Sequence, residues 1–104
     1  MKTINCKELK TLLDKGEIEL IDVRETYETN CSNIGGHLIP MDQIKEDVVK
    51  LDQNKPYAII CQSGKRAAAV ANLLEIEFGF SKLSIVDGGF EAYIDTIDNT
   101  LQRC

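Results

Sequence analysis

The stretch that most constrains this chain runs from Tyr57 to Glu75. The apolar run Tyr57-Ala58-Ile59-Ile60 meets a polar segment, Cys61-Gln62-Ser63-Gly64-Lys65-Arg66, and a run from Ala67 to Glu75 follows at once. Four consecutive apolar residues bounded by polar ones read as a buried strand, while Ala67, Val70, Ala71 and Leu74 recur at i, i+3, i+4, i+7 and make a helical stripe. A strand, a tight loop and a helix in that order point the first free N–H groups of the helix back at the loop. Those groups and the positive end of the helix dipole favour negative charge there. A cysteine at the mouth of such a loop is stabilised as thiolate, and Lys65 and Arg66 add to the effect. Gly64 lets the chain turn tightly and leaves the approach of an anion open. On its own, a cysteine ending an apolar strand reads equally as a small core residue. The glycine, the two cations and the helix directly after it move the reading to a nucleophile in an anion cradle.

The rest of the composition sets the frame for that loop. A length of 104 residues suits one domain with one core. Hydrophobic content of 43% with 28% charged residues is that of an ordinary globule, neither a disordered nor a membrane chain. The net charge of −5 argues against nucleic-acid binding, which calls for a basic face, so an anionic substrate has to be attracted locally. The opening MKTINCKELKTLL carries no long apolar core and no small-residue cleavage site, and no run approaches a membrane span. The four cysteines, Cys6, Cys31, Cys61 and Cys104, show no CxxC pair or metal-ligand spacing, which predicts reduced thiols, no metal and a cytoplasmic protein.

Taken in order, Ile4 belongs to a short strand. Cys6 to Lys15 reads as a helix with Leu9, Leu12 and Leu13 on one face, Asn5 and Glu8 as its capping pair, and Gly16 as its stop. Glu19 to Val23 is the next strand, ending in an Asp22/Arg24 pair that reads as a strand-end cap and surface ion pair. A short helix is expected around Glu25 to Thr29, followed by a polar stretch in which Cys31 is exposed and incidental. His37, the single histidine, reads as a turn-side surface or packing residue, because a thiolate made by the loop needs no general base. Met41 to Leu51, with Ile44, Val48, Val49 and Leu51 among charges, predicts one amphipathic helix. Asp52 to Pro56 is a turn into the central strand. Gly79 ends the loop helix, Leu83 to Val86 is a last strand, Gly88-Gly89 a tight turn, and Phe90 to Ile97 a last helix. The tail from Asn99 is expected to fray, with Cys104 a free terminal thiol. Strands alternating with helices give an α/β sandwich with a mainly parallel sheet, with the loop at the carboxyl end of a central strand, where ligands bind in such folds.

Three segments, IDVRE at 21–25, CQSGKR at 61–66 and VDGGFEAY at 86–93, occur in an order and spacing that resemble a rhodanese-like domain over nearly the whole chain, residues 1–104. The resemblance implies a three-layer α/β/α sandwich and a single-domain sulfurtransferase with Cys61 as the catalytic cysteine and Gln62, Ser63, Gly64, Lys65 and Arg66 as the substrate-binding loop. It makes Asp22 and Arg24 supporting residues and sets the Gly88-Gly89 turn beside the loop. It implies no metal and no organic cofactor. The partners it implies are a small anionic sulfur donor such as thiosulfate and an acceptor that is a thiol, cyanide or a sulfur-accepting protein, with no nucleic acid and no membrane. The chain departs from the usual pattern in four places: Gln62 where arginine is common, Ala67 where serine is frequent, Ser32-Asn33 in place of a Gly-His pair, and Tyr93 where tryptophan is frequent.

Two other classes compete. A cysteine phosphatase or arsenate reductase uses the same cradle on a tetrahedral oxyanion, but its loops resemble Cys-x5-Arg, and the Cys61–Arg66 spacing is one residue shorter. A non-catalytic rhodanese-like binding module is the third reading; such modules usually lack the cysteine, and here Cys61 is present.

Overall fold

The computed structural model describes residues 1–103. Five strands, β1 (Lys2–Ile4), β2 (Glu19–Asp22), β3 (His37–Leu38), β4 (Tyr57–Ile60) and β5 (Leu83–Val86), form one sheet in the order β1-β5-β4-β2-β3. Every pairing is parallel, so the sheet is wholly rather than mainly parallel. Parallel neighbours need crossovers, and the helices α1 (Cys6–Asp14), α2 (Thr26–Cys31), α3 (Ile44–Asp47), α4 (Lys65–Phe78) and α5 (Gly89–Thr96) supply or extend them.

The two-residue period of β4 sorts its side chains onto two cores. Tyr57, Ile59 and Cys61 pack with Ile44, Val48, Val70, Ala71 and Leu74 on one face of the sheet, while Ala58 and Ile60 pack with Leu9, Phe90, Tyr93 and Ile94 on the other. All four residues of β4 are buried, as a central strand covered on both faces requires. The capping pair at α1 is formed as its residues predict: Asn5 Oδ1 accepts from the Glu8 amide at 2.8 Å and Glu8 Oε1 accepts from the Asn5 amide at 3.2 Å.

Four expectations from the sequence are corrected. Met41 to Leu51 is not one helix but a 3-10 turn (Met41–Gln43), the single α-turn of α3 and a second 3-10 turn (Val48–Lys50). Only Ile44 and Val48 are buried there and Val49 is 68% exposed, so the segment lacks the continuous apolar face that would hold a longer helix. The tail is tied rather than frayed over 99–103: Leu101 packs against the core beside α5, the Thr100 amide donates to Asp98 Oδ1, and Arg103 pairs with Asp95. The Asp22/Arg24 pair is not on the surface at all, since both side chains are fully buried. Cys31 is exposed as expected but disulfide-bonded, against the expectation of reduced thiols. Cys104 lies outside the described residues.

Candidate active site

β4 ends at Ile60, and the chain then turns through Cys61–Gly64 into α4. Cys61 is completely buried at the floor of this turn. Its Sγ accepts from the Gly64 amide at 3.0 Å and from the Ala67 amide at 3.3 Å, so the first turn of α4 is wrapped around one sulfur atom. Gly64 holds φ +108°, which the turn requires and an L side chain rarely adopts; a Cβ there would meet nothing closer than 3.8 Å, so the constraint is backbone conformation, not space. The carbonyls of the loop point the opposite way. Cys61 O accepts from the Phe90 amide at 2.8 Å and Gln62 O from the Glu91 amide at 3.2 Å, so the start of α5 anchors the loop from behind.

That anchoring explains the glycine pair. A Cβ on Gly89 would lie 2.3 Å from Cys61 O and 2.6 Å from Gln62 O, and φ there is +62°. Gly89→Ala is therefore expected to cost about 2 kcal/mol or more, from backbone strain plus displacement of the loop. Urea unfolding and the alkylation rate of Cys61 check this together; an alanine variant as stable as the parent, with unchanged alkylation, would show that the turn does not hold the loop.

The residues of the loop separate into different environments. Ser63 and Lys65 are exposed, and neither side chain forms a hydrogen bond or ion pair with another described residue. Gln62 is half-buried and donates through Nε2 to Glu91 Oε1 at 3.4 Å, while its Oε1 is buried without a partner. Arg66 is half-buried and paired with α2. Its Nη1 and Nη2 donate to Glu28 Oε1 and Oε2 at 2.8 and 3.1 Å, a two-pronged pair in which the arginine is 31% exposed and the glutamate 7%. The hydrogen bonds from Arg66 hold the Glu28 carboxyl below the usual carboxylate range despite its burial. The stabilisation this pair contributes is present above the ordinary glutamate range and is lost as pH falls through the depressed value.

Asp22 and Arg24 act on the site from the other side. Asp22 Oδ1 accepts from Arg24 Nε at 3.1 Å and Oδ2 from Nη2 at 2.9 Å, and Nη2 also donates to Ser32 O at 2.8 Å. The guanidinium lies over the Phe90 ring, 3.9 Å from its centre. Phe90 is the residue whose amide holds Cys61 O, so the buried pair braces the start of α5 against the loop.

Of the residues singled out in the sequence, the fold gathers Cys61 to Arg66, Asp22, Arg24, Gly88 and Gly89 at one end of the sheet. It keeps His37 apart on β3, half-buried with Nε2 2.7 Å from Glu19 Oε1 and its ring edge-on to Tyr57. Cys6 is buried behind the Gly88-Gly89 turn, and burial pushes its thiol up. Glu28 was missed. Its local signal is the Glu25-x-x-Glu28 capping box, in which each end holds an amide of the other, but its pairing with Arg66 spans 38 residues and has no trace in the sequence. A cavity of about 910 Å³ opens at the opposite end of the strands, lined by Lys2, Ile4, Leu12, Ile18 and Leu83 among others; it brings no cysteine or histidine together and is not where the reactive group lies.

The profile of the Rhodanese-like domain matches residues 5–96. The chain belongs to this family. It is 33% identical to the thiosulfate sulfurtransferase GlpE of Pseudomonas savastanoi pv. phaseolicola, covering 97% of this chain and 95% of that protein. It is 37% identical to the putative sulfurtransferase YtwF of Bacillus subtilis, covering 89% and 90%. Among solved structures, a rhodanese-like domain protein from Staphylococcus aureus superposes with a TM-score of 0.82 at 33% identity, covering 100% of this chain and 99% of that one. The three-layer α/β fold expected from the resemblance is therefore established. Within this rhodanese-like domain, the feature that separates the loop from a plain strand–helix turn is the pair of amides converging on a buried sulfur. No helix among the described residues is long and apolar enough to cross a membrane.

Proposed function

We propose that this rhodanese-like domain is a sulfurtransferase that carries sulfane sulfur on Cys61. The Cys61 thiolate attacks the outer sulfur of a donor such as thiosulfate or a persulfide. A bond forms between Sγ and that sulfur while the donor's S–S bond breaks, and the electron pair leaves on the donor remnant, sulfite in the case of thiosulfate. A thiol or cyanide then removes the outer sulfur and regenerates the thiolate. The steps need no metal and no organic cofactor, because the nucleophile is stabilised by the loop itself.

One observation supports this reading above the rest: the amides of Gly64 and Ala67 both donate to Cys61 Sγ. Donors aimed at a sulfur anion stabilise the negative charge that the transfer places there. Two relatives, one described as a thiosulfate sulfurtransferase and one as a putative sulfurtransferase, match over nearly their full length, which fits the same chemistry. A phosphatase would need donors spread around a tetrahedral oxyanion, and a loop already closed on a single atom is short for that task.

Incubating the purified protein with thiosulfate or a small persulfide should add one sulfur atom to the peptide containing Cys61, read by mass spectrometry, with negligible hydrolysis of an aryl phosphate. Robust phosphatase turnover with no sulfur added from any donor would overturn the reading.

A further inference from the structure

The charges around the loop mouth do not match a small dianion. Lys65 and Arg66 are its two cations, but both terminal nitrogens of Arg66 donate to Glu28, which takes the end-on face of the guanidinium and offsets its charge. Glu25 lies close enough to act electrostatically on Arg66, and Glu91 holds the Gln62 amide. Asp22 and Arg24 neutralise each other in the core. Two cations thus stand among three carboxylates, on a chain whose net charge is already −5. Exposed apolar side chains lie on the elements beside this end of the sheet: Tyr27 at 71% on α2, next to Glu28, and Leu38 at 44% at the carboxyl end of β3. Leu38 is in register with Asp22, and β2 runs from Asp22 into the Val23–Arg24 segment beside the loop.

Resting on the sulfur-transfer reading, we propose that Glu28 is a specificity-determining residue, which with Glu25 and Glu91 turns the site against thiosulfate and toward a persulfide carried on a basic peptide or protein segment. The carboxylate holds Arg66 as a fixed part of the loop wall, so the cradle stabilises the transferring sulfur through backbone amides while the surround repels a dianion and attracts lysine or arginine beside the donor's persulfide. The chemical step is balanced without an oxidant. Cys61 thiolate attacks the outer sulfur of R–S–SH, the Sγ–S bond forms as the S–S bond breaks, and the electron pair departs on R–S⁻, leaving Cys61 as the persulfide.

The test compares three donors on the intact protein: thiosulfate, a synthetic peptide persulfide flanked by lysines, and the same peptide flanked by glutamates. The unaltered chain should sulfurate Cys61 about tenfold faster at limiting concentration with the lysine peptide than with the glutamate peptide, as expected for a few unit charges at partly screened range. Added salt should slow transfer from the lysine peptide and speed transfer from thiosulfate. Glu28→Gln, which keeps an acceptor for the α2 cap but removes the charge, should raise kcat/KM for thiosulfate about tenfold, mainly through KM, and narrow the difference between the peptides. A role confined to holding the fold would lower kcat for all donors alike instead. Glu91→Gln, an exposed position, is measured alongside and should shift the preference in the same direction by less. Equal rates with the two peptides and no effect of salt on either donor overturn the proposal, as does an unchanged thiosulfate KM in Glu28→Gln. Failure of every donor to place sulfur on Cys61 would instead overturn the sulfur-transfer reading beneath it.

Discussion

Cys61→Ser is expected to abolish sulfur transfer, a loss of at least about a thousandfold, the scale met when a covalent nucleophile is removed. The argument is geometric. The Gly64 and Ala67 amides converge on this one sulfur, and a serine hydroxyl placed there accepts the same hydrogen bonds but is not ionised near neutrality and forms no persulfide. The variant should fold, since oxygen is smaller than sulfur and finds the same donors. Cys6→Ser should keep most of the activity, because Cys6 is buried behind the Gly88-Gly89 turn with its Sγ 3.9 Å from Gly89 O. Cys31→Ser should do likewise, Cys31 being at the exposed end of α2, and so should Cys104→Ser. Transfer rates from a persulfide donor, with the sulfurated peptide located by mass spectrometry, decide the matter. Full activity in Cys61→Ser would sink the assignment, and a comparable loss in Cys31→Ser would require a two-cysteine relay.

Asp22→Ala should be the most damaging change to stability outside the loop. It leaves the Arg24 guanidinium fully buried with its principal acceptor gone, and an uncompensated buried charge costs about 3–5 kcal/mol. For a domain whose total stability is on the order of 5–15 kcal/mol, that is about a fifth of the reserve or more. Ser32 O and the Phe90 ring remain as partners and set the lower part of that range. Pairing the change with Arg24→Met should restore much of the loss, because removing both charges removes the desolvation penalty with them. The single variant should also transfer sulfur more slowly while still folded, since Arg24 braces Phe90 and the Phe90 amide holds Cys61 O. Urea titration of the two single variants and the double variant measures the coupling. A destabilisation under about 1 kcal/mol for Asp22→Ala would mean the pair behaves as a surface ion pair does.

Much of this was decided locally. The alternation of apolar runs with helical stripes determined that strands and helices would alternate, and the Asn5/Glu8 and Gly79 signals marked where α1 begins and α4 ends, because caps are made by residues close together in the chain. The Tyr57–Glu75 stretch by itself determined that a cysteine would stand before the N-terminus of a helix, since strand, glycine turn and helix are contiguous in the chain.

Tertiary structure decided the rest. No local rule places Glu28 on Arg66, buries Asp22 with Arg24, or sets the start of α5 against the Cys61 and Gln62 carbonyls, because each contact joins elements brought together by the order β1-β5-β4-β2-β3. The 41–51 segment shows the converse: its pattern permits a helix, but only Ile44 and Val48 are fully buried, with Leu51 partly so, and a helix without a continuous buried face does not persist. The turn that sets the Gly64 and Ala67 amides on Cys61 therefore lies in contiguous sequence, whereas the fold decides which carboxylates stand around it.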